Sequence, residues 1–359
     1  MNAITAPLPL ADVLGASWVV GSGTNALAWD GAAGSAWFGL EDGSLAVARS
    51  AWEGRAGVRP REGGGVELVA GTEPAPPVAR IKVHQGACLA LAADPDAGVL
   101  SGGADGELAR VAADGTIDTL VRLEGVPAAP VAAGRGGWRV CAAGSVLVRL
   151  GAEARTLDLP ETITALAVAP NGARVAIGQA SGVTLWAGGD TPRALAAEGG
   201  QTAVVWSKDS RVLASVTEAG DVLIWDVGAG KAQAVGERQP GRAVGFLADG
   251  RVIASAGGAV VCHDLSAKGV EPCGANSRET VQHLACHPRR ALVAAGYSNG
   301  AIAICRPGIA EIVLVRGAGD GPVTTLGWSP AGDTLAYATP GSIGLVALPG
   351  LLFREGAAP

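Results

Sequence analysis

The sequence predicts an all-β fold, a β-propeller in which four-stranded antiparallel blades close into a ring. Three observations lead there. Short apolar runs alternate with period two, the pattern of half-buried strands. A strand–turn–strand–turn–strand template recurs about every 40 residues along nearly the whole chain. Gly and Pro are abundant, 55 and 21 of 359 residues. They carry no collagen period, and an apolar content of 48% excludes wholesale disorder.

The template is plainest in Gln201–Gly228, QTAVVWSKDSRVLASVTEAGDVLIWDVG, and in Pro322–Pro349, PVTTLGWSPAGDTLAYATPGSIGLVALP. Eight units follow in order: Asn25–Ala48, Ala87–Val111, Pro130–Leu150, Ile163–Trp186, Thr202–Asp226, Arg242–Asp264, Val281–Cys305 and Val323–Ala347. Pro130–Leu150 is the most compressed. A fourth short run separates consecutive units: Ala79–Val83, Ile117–Leu123, Arg155–Leu159, Pro192–Ala196, Lys231–Val235, Val270–Cys273 and Glu311–Val315. Four strands per period and no helix-length segment are the arithmetic of propeller blades. One symmetric domain, residues 1–359, therefore replaces the two domains that length alone would allow.

Turn chemistry agrees. Asp-Gly stands at 42–43 and 105–106 and Asn-Gly at 299–300, between the second and third runs of their units. These pairs suit hairpins that need positive φ. Small residues in Val175–Gly178, Ser255–Gly258 and Ala291–Gly296 suit strands crowded around an axis. The last unit leaves only a short tail with Leu351–Phe353 as a weak strand. Ala16–Val20, just before the first unit, is the better outer strand for the last blade and would close the ring without a seam.

Particular residues carry a family likeness. Unit five ends Leu223-Ile224-Trp225-Asp226 after the turn Glu218–Asp221. Unit eight has Trp328-Ser329-Pro330 at the end of its first strand, and unit four ends its third strand in Leu185-Trp186. With the turn pairs above, the chain resembles the WD40-repeat family over nearly its whole length. Seven blades is commoner in that family; the unit count here favours eight, with seven as the alternative. The departures are large. Trp225-Asp226 is the one true WD pair, and units six and seven read His263-Asp264 and Cys305-Arg306. The family's Gly-His dipeptide is nearly absent, so most blades are expected to rest on apolar packing and ring closure. Trp29, Trp206 and Trp328 share the first-strand terminus, and Trp186 and Trp225 share a third-strand position. All five, with Asp226, are read as structural.

Charge and cysteine bound the function. Lys plus Arg number 27 against 33 Asp plus Glu, a net charge of -6, which argues against a nucleic-acid partner. Six cysteines without a CxxC read as buried free thiols in a reducing compartment. The N-terminal residues lack a signal-peptide pattern, and no apolar stretch is long enough to span a membrane. A cytoplasmic protein is expected, and the Ala, Gly and Arg preference suggests a bacterial source.

The chain has no GxSxG, Walker A or HExxH pattern, and Gly21–Ala26, GSGTNA, leads into a strand rather than a helix. The metal candidates are His263, His283, Cys286 and His287, near Cys262. Isolated core thiols and imidazoles are the plainer reading of that set, and no cofactor is expected. The most irregular element is Arg49–Pro77, which holds Trp52, Arg55, Arg59, Arg61, Glu62 and the Gly63–Gly65 run. Long insertions are uncommon without function or disorder, and Trp and Arg favour interfaces. An exposed Trp52 beside Arg55 and Arg59 is the candidate protein-binding group. By resemblance the chain is a non-enzymatic scaffold for protein partners. Its rivals are a metal- or small-molecule-binding propeller and an enzyme with a site at the mouth of the central channel.

Overall fold

The computed structural model describes residues 8–30, 34–62, 64–151, 154–189, 191–197, 199–235, 243–265 and 269–353. Gly63 and Arg242, named above, lie outside the described residues. Eight four-stranded antiparallel sheets form the blades. Blade one holds Thr24–Trp29, Ser35–Leu40, Ser44–Arg49 and Ala79–Lys82; blade two Cys88–Ala93, Val99–Gly103, Glu107–Val111 and Ile117–Arg122. Blade three holds Val131–Gly134, Trp138–Ala143, Val146–Leu150 and Arg155–Asp158; blade four Ala165–Val168, Val175–Gln179, Gly182–Trp186 and Arg193–Ala196. Blade five holds Gln201–Trp206, Val212–Thr217, Val222–Asp226 and Lys231–Val235; blade six Val244–Phe246, Val252–Ala256, Ala259–Asp264 and Gly269–Pro272. Blade seven holds Val281–Cys286, Val293–Tyr297, Ile302–Arg306 and Ile309–Arg316. Blade eight takes Thr325–Trp328, Thr334–Thr339 and Ser342–Ala347 from the end of the chain and its outer strand, Gly15–Val19, from the beginning.

That closure is the one expected, begun one residue earlier, with Gly15 opposite Val346 and Val19 opposite Ser342. Leu351–Phe353 is no strand; it belongs to a 3₁₀ turn, Gly350–Phe353. A five-residue helix, Leu10–Leu14, precedes the closing strand. The first strands of consecutive blades lie against one another around the ring, and blade one's meets blade eight's.

Each seam between neighbouring blades has its own apolar cluster. Trp138 and Trp186 meet edge-on at 5.9 Å between blades three and four. Trp206, Trp225 and Leu213 pack against Ala176 and Leu185 between blades four and five. Burial of side chains this large stabilises by about 1.5–3 kcal/mol each. Trp186 and Trp225 also satisfy their indole nitrogens, on Gly189 O at 2.6 Å and Ser215 Oγ at 2.9 Å.

The second-to-third-strand turns show why the sequence needs Asx-Gly there. Gly43, Gly106 and Gly300 have φ of 81°, 80° and 84°. In each, the preceding Asp or Asn accepts from a backbone N–H two residues on: Asp42 from Ser44, Asp105 from Glu107, Asn299 from Ala301. A Cβ on Gly106 would also stand 2.1 Å from Leu123 O, so conformation and space both demand glycine. We call the face with these turns and the blade-to-blade links the upper face. The lower face carries the turns joining first to second and third to fourth strands.

Candidate functional site

The insertion leaves blade one between its third and fourth strands, on the lower face. It forms a separate hairpin, Gly57–Pro60 paired with Val66–Val69, rather than the blade's outer strand, which is Ala79–Lys82. Ala56 and Val58 pack onto the cluster of blades seven and eight, which includes Leu14, Leu348 and Phe353. The hairpin is thereby anchored beside the 3₁₀ turn. Its second strand keeps apolar side chains open to solvent, with Val66, Leu68 and Val69 exposed by 38%, 39% and 37%; Leu68 is the cross-strand neighbour of Val58, and Val69 lies on the side of Arg59 and Glu67.

The structure brings Trp52 and Arg55 together and sets Arg59 apart. The Arg55 guanidinium lies 5.0 Å from the centre of the Trp52 ring and donates to Ser50 O. Trp52 is half-buried, and its indole nitrogen is covered and makes no hydrogen bond. Burial lowers the pKa of Arg55, an effect partly offset by Asp333 in blade eight. Arg59 instead grips its cross-strand neighbour Glu67 through two hydrogen bonds, at 3.0 and 3.1 Å. That bond raises the pKa of Arg59 and lowers that of Glu67. Trp52 and Arg55 thus seat the insertion, while Arg59 and the side chains of Val66–Val69 stay open to solvent.

Next to the 3₁₀ turn lies a lower-face pocket of about 450 Å³ that sequence reasoning missed. Arg290, in blade seven's first turn, and Arg306, at the end of its third strand, both donate to Phe353 O, at 3.3 and 3.2 Å. Arg251 also lines it, but Asp249 and Glu271 hold that guanidinium at 2.8 and 3.1 Å. The pocket opens at Ile309, where blade seven's outer strand begins. The sequence signal was the run Glu311–Val315, the most apolar of the fourth runs.

The histidine and cysteine candidates are built into blade walls. His287 accepts the Arg289 N–H at Nδ1, 3.1 Å, and reaches Gly332 O through Nε2 at 2.9 Å, with its ring edge-on to Trp328. The Cys286 thiol sits over Gly245 of blade six, where a Cβ would come within 2.7 Å of the sulfur. Burial lowers the pKa of His263 and of His283. Burial pushes the Cys262 thiol up to about 11 and those of Cys286 and Cys305 to about 12, far from the thiolate a metal needs. Among the described residues no group of three or more His, Cys, Asp or Glu side chains could hold a metal ion. All six cysteines are free thiols.

On the upper face a depression of about 620 Å³ lies between blades one, seven and eight, lined by Asn25, Glu41, Gln282, His283 and Thr324. Nearby is a second arrangement the sequence reading did not single out. His84, in the link from blade one to blade two, is fully buried. Its Nδ1 is 3.1 Å from Asp105 Oδ1 and its Nε2 is 2.7 Å from Ser101 Oγ. Burial lowers the His84 pKa against the pull of Asp105. Burial alone would raise Asp105, but N–H bonds from Gln85 and Glu107, with His84, carry its pKa below the ordinary carboxylate value. This Ser–His–Asp set lies inside the blade wall and ties the link to blade two's second strand and the turn that follows it.

No protein-family model matches the chain, and no curated protein matches it in sequence. Solved structures do. The C-terminal WD40 domain of Sif2 superposes with a TM-score of 0.69 at 15% identity, over 93% of this chain and 99% of that one. The likeness is one of fold: an eight-bladed, WD40-like propeller.

Proposed function

We propose that the chain is a non-enzymatic scaffold that binds protein partners through the lower-face hairpin, with Arg59 at the contact and Trp52 and Arg55 seating it. The observation that carries this reading is the exposure of the hairpin's second strand. Val66, Leu68 and Val69 are exposed around the Arg59–Glu67 pair on an element pinned to the propeller by Ala56 and Val58. An apolar patch flanked by charge on a rigid base is suited to protein recognition. The buried setting of the Ser101–His84–Asp105 set supports a structural rather than catalytic role for it. No helix among the described residues is long and apolar enough to cross a membrane. Six free thiols fit work in the reducing cytoplasm.

The test is affinity capture from native lysate with the wild-type chain, with Arg59→Ala and with Leu68→Glu, after circular dichroism has established that each variant is folded. A partner retained by the wild type and lost by both variants is expected. If the same proteins are retained by all three, the hairpin is not the docking element.

A further inference from the structure

Blade seven departs from the other blades at its outer edge. Its outer strand, Ile309–Arg316, has eight residues, and the first six are exposed. The other seven outer strands have four to six. Ile312 and Val313 expose 44% and 41%, with Ile309 and Leu314 close behind. The helix Leu10–Leu14 packs near the far end, where Val315 is buried. Outside its own ladder, one backbone bond among the described residues reaches the strand, from Gly274 N–H to Ile309 O. The edge therefore presents open backbone groups beside apolar side chains. Proteins ordinarily blunt such edges with charge, shortness or cover.

The Arg290–Arg306 pocket lies at the start of this strand. Two half-buried guanidiniums converge there on one neutral oxygen, Phe353 O, and among the described residues neither has a carboxylate partner. Among the described residues each keeps N–H donors unused, and a guanidinium fork matches a carboxylate. We propose that this edge and pocket together dock an extended acidic peptide segment of a partner protein. The peptide adds as a fifth strand along Ala310–Leu314, beyond the Ile309 O that Gly274 already engages, and delivers a carboxylate to Arg290 and Arg306. The site is separate from the hairpin, so the inference goes beyond the scaffold reading and can fail independently of it.

Charge and pattern choose the occupant. A nucleic acid would meet the arginines but would find no use for the apolar edge, in a chain of net charge -6. A second copy paired antiparallel along this strand would bring Arg316 of each toward the Arg306 end of the other; Arg316 already engages the Asp320 carboxylate at 2.7 Å and so brings the pocket no free acid. A peptide with alternating apolar residues and an acidic end satisfies backbone, side chains and arginines at once.

The experiment uses the purified full chain and an array of peptides of about ten residues, alternately apolar, with a Glu or Asp pair at either end. Each is compared with its Gln/Asn counterpart and with an N-methylated version. Acidic peptides are expected to bind about tenfold tighter than their amide counterparts, and N-methylation should abolish binding. Arg290→Gln/Arg306→Gln should erase the acid preference, Ile312→Lys should remove binding, and Arg59→Ala should leave it unchanged. Thermal melts establish that each variant is folded. Equal binding of acidic and amide peptides would overturn the proposal. So would insensitivity to the arginine changes, the absence of binding across the array, or dimerisation of the wild type through this edge seen by light scattering. Loss of lysate partners in the hairpin variants alone would bear on the scaffold reading and not on this one.

Discussion

The indole nitrogen of Trp328 donates to the carbonyl oxygen of Ala285 at 3.0 Å, across the seam from blade eight to blade seven. Trp206 makes the same bond to Ala167 of blade four at 2.9 Å, and Trp29 to Gly327 of blade eight at 3.3 Å. Each tryptophan ends, and each acceptor is the penultimate residue of, a first strand. One residue type thus fills the wedge between blades and satisfies a neighbour's backbone. Trp328→Phe keeps most of the ring and deletes the bond. We expect a loss of about 1–2 kcal/mol in urea unfolding, against about 3–5 kcal/mol for Trp328→Ala, which also opens a cavity. Equal stability of Trp328→Phe and wild type would show that the bond contributes nothing.

His84 predicts a dependence on pH. Its folded pKa lies below the ordinary imidazole value, as do those of His263, His283 and His287, each chiefly through burial. A lowered folded pKa means that the unfolded chain binds more protons. Their contribution is therefore complete above the unfolded value near 6.5 and is lost as pH falls through the folded values. Unfolding free energy should decline between pH 6.5 and 5, by at most about 1.4 kcal/mol per pH unit for each histidine that stays neutral when folded. His84→Gln should flatten part of this slope. A slope identical to wild type would exclude His84 as a contributor.

Much of the architecture was legible because it is periodic. Spacing located eight units and the closing strand, since a period-two pattern repeated about every 40 residues has few other solutions. Trp29, Trp206 and Trp328 were legible for the same reason, as one position seen several times. The lower-face geometry was not. Arg290 and Arg306 come together only because the 3₁₀ turn carries Phe353 O between them, and nothing in their spacing encodes that contact. Trp52 looked like a surface anchor because it stands outside the repeat. Its half-buried seat under Arg55 follows from Ala56 and Val58 packing on blade eight, a contact between distant parts of the chain. His84 lacked the family's preceding glycine and so escaped the motif, although its Ser and Asp partners occupy blade two.

Arg139 and Asp94 form an ion pair across the seam of blades two and three, with bonds of 2.7 and 2.8 Å. The Asp94 carboxylate is fully covered, while Arg139 also reaches Asp96 at 2.5 Å. Burial alone would raise the Asp94 pKa, but its bonds to Arg139 and to the Asp96 N–H carry it below the ordinary carboxylate value. Arg139→Met leaves that carboxylate buried without its main partner and should cost about 3–5 kcal/mol. Asp94→Leu/Arg139→Met removes both charges and should recover much of the loss. The comparison is a double-mutant cycle read by chemical denaturation. Additive effects of the two substitutions would mean that the pair is not coupled.

The ring is closed by sequence-distant strands, so its weakest point should be the pairing of Gly15–Val19 with Ser342–Ala347. This join has two further supports. Leu14 is buried with Val346 and Leu348, and the Trp18 indole donates to Pro76 O at 3.0 Å, fastening the closing strand to the end of the insertion. Removing residues 1–20 would strip five ladder positions from Ser342–Ala347 and leave that edge open. Open apolar edges invite intermolecular pairing, so the truncated chain should melt well below the full chain and scatter light increasingly with concentration. A synthetic peptide spanning residues 8–21, added in excess, should restore the melting temperature by binding the folded form alone. A truncated chain that stays monomeric and melts with the wild type would mean that the other seven blades hold the ring without its clasp.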